Sequence, residues 1–419
     1  MGVLLARLRA TFSQITPEVW RVLVHSMVFG LAISIAELLL NFYLASMGYG
    51  TDVAGYLTTI YRVAGVVCGL PMGMLIDRWG PRRAILMGAI AFAGAWLLQL
   101  MVSSFWALAI SQFLIGICYT MVITAVTPLL ASVTSFEQRP AVLGFNAAST
   151  LVVGVMGNLF GGSLPSIAAS IVGGDPQGTL AYRLALGSVV ALGLVAAVPI
   201  WMLRGVKSSN DRVIAPDQVD MQPNLPWSRL IRFALPYMFM GAAGGAIIPF
   251  QNLFLREVFG LGDAAVGLVL GVNSLLMGIG ALTGAPLSKR VGAKRLSILT
   301  RFAAAPVMLL MFLPWLVPAS IGLCLRGFFI SISYPLSDAL TMQYTPTRQR
   351  GVGMSLVNAL WSLGWAGAAA LAGRIQIAWG FAPLLCASIF FYAVSSYLML
   401  YAFDNKFQAA QASLSEQLS

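Results

Sequence analysis

The chain has 419 residues, of which 59% are hydrophobic and only 9% charged, and it carries a net charge of +11. A soluble domain carries roughly 25% charged residues. The charges here are too few to wet a surface of this size, which excludes an ordinary soluble protein and leaves lipid as the solvent. The positive balance is then expected in cytoplasmic loops rather than against nucleic acid. Cys68, Cys118, Cys324 and Cys386 fall inside apolar runs without metal-ligand spacing, and His25 is the single histidine, so neither zinc nor disulfide chemistry is indicated.

In chain order, the N-terminus is a basic amphipathic stretch with Arg7, Arg9 and Arg21 and no small-residue cleavage site, so the first span is expected to act as its own insertion signal. A membrane helix needs ~20 mostly apolar residues to cross ~30 Å of hydrocarbon. Twelve such runs follow, over 22–47, 53–76, 84–102, 106–130, 142–167, 184–203, 233–255, 264–287, 296–316, 319–342, 352–377 and 381–403. Their unbroken character predicts an all-α membrane protein, because a barrel would show ~10-residue alternating segments. With the N-terminus in the cytoplasm, twenty basic residues, Arg301 among them, fall on the cytoplasmic side. Three (Arg183, Arg256, Arg374) fall outside, and Arg62 and Arg326 remain inside spans. This asymmetry predicts an integral plasma (inner) membrane protein with both termini cytoplasmic.

The longest polar stretch divides the chain into a six-helix bundle over 1–203, a cytoplasmic linker over 204–232, a second six-helix bundle over 233–403 and a cytoplasmic tail over 404–419. The halves repeat at an offset of 211. Asn41 and Asp52 return as Asn252 and Asp263, Glu137-Gln-Arg139 as Arg348-Gln-Arg350, Gly116 as Gly327 and Gly162 as Gly373. Polar landmarks holding one offset predict two pseudo-symmetric bundles with a solute site between them near mid-membrane.

Between the second and third spans the chain reads Gly73-Met-Leu-Ile-Asp77-Arg78-Trp-Gly80-Pro-Arg82-Arg83. Gly73 lets a neighbouring helix approach, Gly80 permits a tight turn, and Arg78, Arg82 and Arg83 hold the loop inside. Asp77, at a helix end, can accept from backbone N–H groups or pair with a basic residue. The run resembles the G-x-x-x-D-R-x-G-R-[KR] signature of the major facilitator superfamily. The resemblance implies that fold and makes this loop a conformational gate rather than a solute ligand. The second copy, Gly284-Ala-Pro-Leu-Ser288-Lys289-Arg290-Val-Gly292-Ala-Lys294-Arg295, has one extra residue before its second glycine and no acid. The family's drug–proton antiporters are matched only in degenerate form. Gln112 stands where they carry an arginine four residues before Gly116, and Gly157-Asn158-Leu-Phe-Gly161-Gly162 keeps the glycines of their G-P-x-x-G-G element without its proline.

A charge at a span centre costs ~2.5–3.5 kcal/mol on insertion scales. Glu37 and Arg62 lie at one expected depth in adjacent antiparallel spans. Either they form a structural bridge, or Glu37 takes a proton or contacts solute while Arg62 tunes it. Arg326 either binds an anionic group or snorkels to headgroups. Asp338 is a second proton-coupling candidate or a helix-end residue. The resemblance implies that spans one, four, seven and ten line the cavity and that spans two, five, eight and eleven form the interface of the halves. Polar residues on those spans (Asn41, Gln112, Gln251, Asn252, Asn273, Tyr334, Asn358), with Trp361 one turn from Trp365, would suit an amphipathic organic solute, although both indoles could equally pack against lipid. His25 reads as an interfacial residue. No phosphate-binding loop, nucleophile–base set or cofactor motif is present, so a transporter rather than an enzyme is expected. Its expected partners are a small-molecule solute, protons or another coupling ion and the bilayer, with the chain a monomer and no nucleic acid bound. Proton-coupled efflux by alternating access is the leading reading. Organic-anion uptake and a lipid or lipid-linked flippase are the alternatives on the same fold.

Overall fold

The computed structural model describes residues 16–135, 138–203, 225–346 and 349–403. Glu137 and Arg348, most of the linker and the tail lie outside the described residues, as do Arg7 and Arg9. In chain order the helices are α1 (Pro17–Ser46), α2 (Thr51–Trp79), α3 (Pro81–Met101), α4 (Phe105–Val133), α5 (Arg139–Val172), α6 (Thr179–Trp201), α7 (Trp227–Ile247), α8 (Gln251–Phe259), α9 (Asp263–Val291), α10 (Ala293–Val307), α11 (Leu316–Tyr344), α12 (Arg350–Trp379) and α13 (Ala382–Ala402). Among the described residues eleven helical segments are long and apolar enough to cross a membrane, and α2, bent at Pro71, makes the twelfth. The seventh span is α7 and α8 joined through a 3-10 turn at Ile248–Phe250. Large apolar side chains stay exposed along the helices, Ile171 at 79%, Met101 at 73% and Leu282 at 66%. Water would penalise that surface; hydrocarbon does not.

The chain divides into two compact units, Met1–Ile214 with Phe250–Leu275, and Ala215–Pro249 with Leu276–Ser419. The six-and-six division of the sequence places 250–275 with the second bundle; by compactness these residues pack with the first unit.

Lipid offers helices no hydrophobic drive to associate, so close packing of small residues carries much of the contact. In the first unit a Cβ at Gly157 would lie 2.4 Å from Ser34 Cβ of α1, and one at Gly116 would lie 2.4 Å from the Tyr61 carbonyl oxygen of α2. The span-five glycines are therefore helix contacts, as their pattern suggests. In the second unit α7 and α12 touch backbone to backbone. A Cβ at Gly241 would lie 2.0 Å from the Trp361 oxygen, at Gly245 2.3 Å from the Trp365 oxygen, and at Gly364 1.9 Å from the Met238 oxygen.

The repeat reaches the level of single bonds. Arg139 donates from Nε to the Ala131 carbonyl at 3.1 Å, and Arg350, 211 residues later, donates to the Met342 carbonyl at 3.0 Å. Gly80 and Gly292 both turn the chain at positive φ, +83° and +87°, where a side chain would be strained. Two residues after each glycine a basic side chain caps carbonyls at the end of the sixth span of its repeat. Arg82 donates to Ile200 and Trp201, and Lys294 donates to Phe403. A cation there also complements the helix dipole.

The α7–α12 contact predicts that Gly364→Ala lowers stability by ~1–3 kcal/mol through overpacking. Gly367→Ala, whose Cβ would meet nothing within 4 Å, should leave it unchanged. Thermal unfolding of the two variants in detergent checks the difference.

Candidate functional site

In the first unit the contact at Gly116 draws α4 against α2 and brings the rings of Tyr61 and Tyr119 to 5.6 Å between centroids. Glu37, in the middle of α1, sits within electrostatic reach of Arg62 and of both tyrosines. Glu37 is exposed although it lies mid-span, and Arg62, Tyr61 and Tyr119 are half-buried beside it. The sequence places Glu37 and Arg62 at one depth, and the structure makes them neighbours. The tyrosine pair, which sequence spacing does not single out, supplies hydroxyls around them. A carboxylate with a guanidinium and two phenols can exchange a proton, accept a hydrogen bond or hold a polar solute group.

The other candidates scatter. Asn41, one turn beyond Glu37, is buried and donates from Nδ2 to the Asn252 side-chain oxygen at 2.9 Å, while Asn252 donates to the Leu38 carbonyl at 2.8 Å. These repeat-related asparagines are thus occupied with each other and with α1. Gln112 is buried in α4, Asn273 is buried in α9, and Gln251 is half-buried at the start of α8. Asn158, standing where the antiporter element has its proline, donates to the Gly154 carbonyl and to Ser274 Oγ, both at 3.0 Å.

In the second unit Tyr334 packs edge-on against Trp361 with 6.3 Å between centroids, and Trp361 lies 5.1 Å from Trp365. Trp361, Tyr334 and Asp338 are half-buried, Asn358 is exposed and Trp365 is buried. Asp338 stands one turn after Tyr334 on α11, within electrostatic reach of Tyr237, whose hydroxyl bonds Thr341 at 3.1 Å. Arg326 is buried rather than at a headgroup, and donates from Nη1 to Tyr392 at 3.2 Å. The Gly73–Arg83 run is largely helical, with only Gly80 between α2 and α3: Gly73 in α2 is half-buried, while Asp77 and Arg78 in the last turn of α2 and Arg83 in the first turn of α3 are exposed. His25 is buried rather than interfacial, its Nδ1 2.7 Å from the Ala196 carbonyl.

One basic residue requires correction. Arg301, expected on the cytoplasmic side, lies within α10 and is fully buried. Its guanidinium donates to Ser333 at 3.2 Å, Ser395 at 2.9 Å and Ser337 at 2.7 Å, and lies 5.7 Å from the centre of the Tyr237 ring. Asp338 is within electrostatic reach. The sequence does carry a signal: Ser333 and Ser337 stand one turn apart on α11, a polar stripe matched to a cation one span earlier. Lysine cannot reproduce this fork of bonds. Arg301→Lys should therefore cost at least ~1.5–3 kcal/mol, the worth of one charge-assisted bond, read as a lowered unfolding temperature.

Residues 22–369 match the family model described as Major Facilitator Superfamily. A curated relative, "Multidrug resistance protein 1" of Bacillus subtilis (strain 168), is 24% identical over 151 residues, and the match spans 32% of this chain and only 39% of that protein. Two solved structures share the fold. A bacterial homolog of the human lysosomal transporter Spinster, inward-facing and occupied, has a TM-score of 0.74 at 15% identity over 92% of this chain and 96% of its own. A nucleoside transporter has a TM-score of 0.74 at 12% identity over 92% and 100%. With twelve spans, the Gly73–Arg83 loop and a family match across most of its length, this chain belongs to the major facilitator superfamily of membrane transporters.

Proposed function

We propose that the protein is a secondary active transporter that moves a small amphipathic organic solute by alternating access, coupled to protons and running as efflux. The observation that carries this reading is Glu37, an exposed carboxylate in the middle of a span with Arg62, Tyr61 and Tyr119 around it. A charged group at that depth is costly unless it is paired or used. Glu37 can be both: ionised, it balances the Arg62 charge; protonated, it no longer does, and other negative charge is attracted in its place. Proton uptake and the electrostatics of a solute site are then linked through one residue. The half-buried Tyr334 and Trp361 surface of the second unit supplies the apolar and aromatic contact that an amphipathic solute needs. The multidrug relative supports efflux, over the short stretch that it matches.

A second reading, uptake of an organic anion, draws on Arg62 and on the fold shared with a human organic anion transporter (TM-score 0.61, 16% identity). The buried position of Arg326 gives that reading one fewer cation to use.

Reconstitution into proteoliposomes separates the readings. An outward-directed solute flux driven by an imposed pH gradient is expected of the wild type, and Glu37→Gln should reduce that driven flux to background while solute binding persists. Uptake of organic anions with no response to the gradient would favour the second reading. Gradient-driven flux surviving intact in Glu37→Gln would remove Glu37 from the coupling.

A further inference from the structure

Two arginines are buried in the second unit, and their surroundings differ. Each of the three guanidinium nitrogens of Arg301 donates to a serine hydroxyl, and Asp338 is within electrostatic reach. Arg326, on α11, is 3% exposed, and its Nη1 donates to the hydroxyl of the buried Tyr392 of α13 at 3.2 Å. Its Nε is buried with no hydrogen-bond partner, and among the described residues no hydrogen bond engages its Nη2. Nε and Nη2 form the edge of a guanidinium on which two parallel N–H groups face one acceptor, the edge that carboxylates and other anions take side-on. On Arg326 the protein uses the opposite nitrogen and leaves this edge unspent.

The charge is as unmatched as the donors. Asp338 is the single acidic residue among the described residues of the second unit. It follows Arg326 by twelve residues on α11, roughly 18 Å along the axis at 1.5 Å per residue. The guanidinium that Asp338 faces is that of Arg301. Tyr392 is also within electrostatic reach of Arg301, so its phenol stands between two cations. The interior of this unit thus holds two guanidinium groups and one carboxylate. Buried charges in proteins are paired or coordinated, because a lone one is among the costliest groups that a fold can hold. A lysine could shed its proton, whereas an arginine stays charged. Burial also denies Arg326 the headgroups to which a cation near a span end would reach.

One kind of ligand answers both deficits, a pair of unspent parallel donors and an unbalanced positive charge. We propose that the Nε–Nη2 edge of Arg326 binds a small inorganic monovalent anion, of the class of chloride, inside the second unit, and that the Tyr392 hydroxyl positions the guanidinium from the opposite side. The ion is a resident counter-ion rather than cargo. The burial that keeps Arg326 from an organic anion sets the size of what it accepts. The site is independent of the transport reading, and neither a solute nor a gradient enters its test.

The full-length chain is held in detergent with gluconate as the sole anion, and its unfolding temperature is followed as chloride replaces gluconate at constant ionic strength. A ligand bound by the folded state alone raises that temperature, so the wild type should show a saturating rise. Arg326→Met, similar in length and uncharged, should lose the rise. Tyr392→Phe keeps the ring and every charge but frees Nη1, and should move the half-saturating chloride concentration up by about tenfold, the worth of one hydrogen bond to a charged group. A loss of packing alone would lower the unfolding temperature without moving that concentration, and the Tyr392→Phe titration still reads the site should Arg326→Met fail to assemble. Benzoate in place of chloride should give no rise. A wild-type unfolding temperature indifferent to chloride, a rise retained in Arg326→Met, or an unmoved half-saturation in Tyr392→Phe would overturn the proposal. An equal rise with benzoate would place an organic carboxylate on Arg326 and overturn the inorganic site.

Discussion

An arginine inside a bilayer has no water to fall back on. Its donors need an oxygen or a ring among the neighbouring helices, as do the carboxylates and amides that share the span, and a donor left over, such as Arg256 Nε, stays buried without a hydrogen-bond partner. This constraint organises both units. In the second, Arg301 is held by three serine hydroxyls on two other helices. In the first, Arg256 is held by Asp263, Tyr182 and the face of Phe42. Both side chains fix helices that sequence keeps far apart, because a guanidinium can bond in several directions at once. Glu37 differs from them. It is exposed, with the Arg62 guanidinium within electrostatic reach and no serine cage around it of the kind that holds Arg301.

Small residues make those arrangements possible. Helices whose backbones approach to contact bring short polar side chains within bonding range, and a Cβ in the wrong place would push them apart. Gly116 sets the spacing at which Tyr61 and Tyr119 meet beside Glu37, and Gly162 sets the seat of Asp263. Glycine here acts through its missing side chain rather than through backbone freedom, which matters at the turns of Gly80 and Gly292.

The parts of this architecture that are legible in sequence are those written as periodicity, length or repetition. The twelve apolar runs answer, among the described residues, to eleven long apolar helices and the bent α2. The offset of 211 identifies Arg139 and Arg350, and the structure gives them the same bond to the same turn of their helices. Asn41 and Asn252, matched as copies, bond each other. Contacts between side chains from distant spans are not legible in this way. Arg301 reads as a cytoplasmic-side residue because basic residues crowd the start of α10 and charge near a span end is ordinarily topogenic; its three serines show otherwise. Arg256 reads as a simple loop cation for the same reason. The Tyr61–Tyr119 pair depends on a helix crossing that no single-sequence pattern encodes.

The two copies of the repeat share their turns and caps and differ in their charges within the spans. Each retains the glycine turn, the cation that caps its last helix and the arginine at the start of its fifth. The acid of the Gly73–Arg83 loop has no counterpart near Gly292, Glu37 stands at a position that reads Ile248 in the second copy, and Arg256 answers to Ala45 in the first. Glu37, Arg256 and Arg301 are all unshared (Arg301, counted from the Gly80/Gly292 turn, corresponds to Ala89), and each sits in a span at a cost that an apolar residue would avoid. The partners of Arg301 are unshared as well: Ser333, Ser337 and Ser395 answer to Val122, Val126 and Leu184, so the buried cation and the oxygens that satisfy it occur together on one side of the repeat and are absent together from the other.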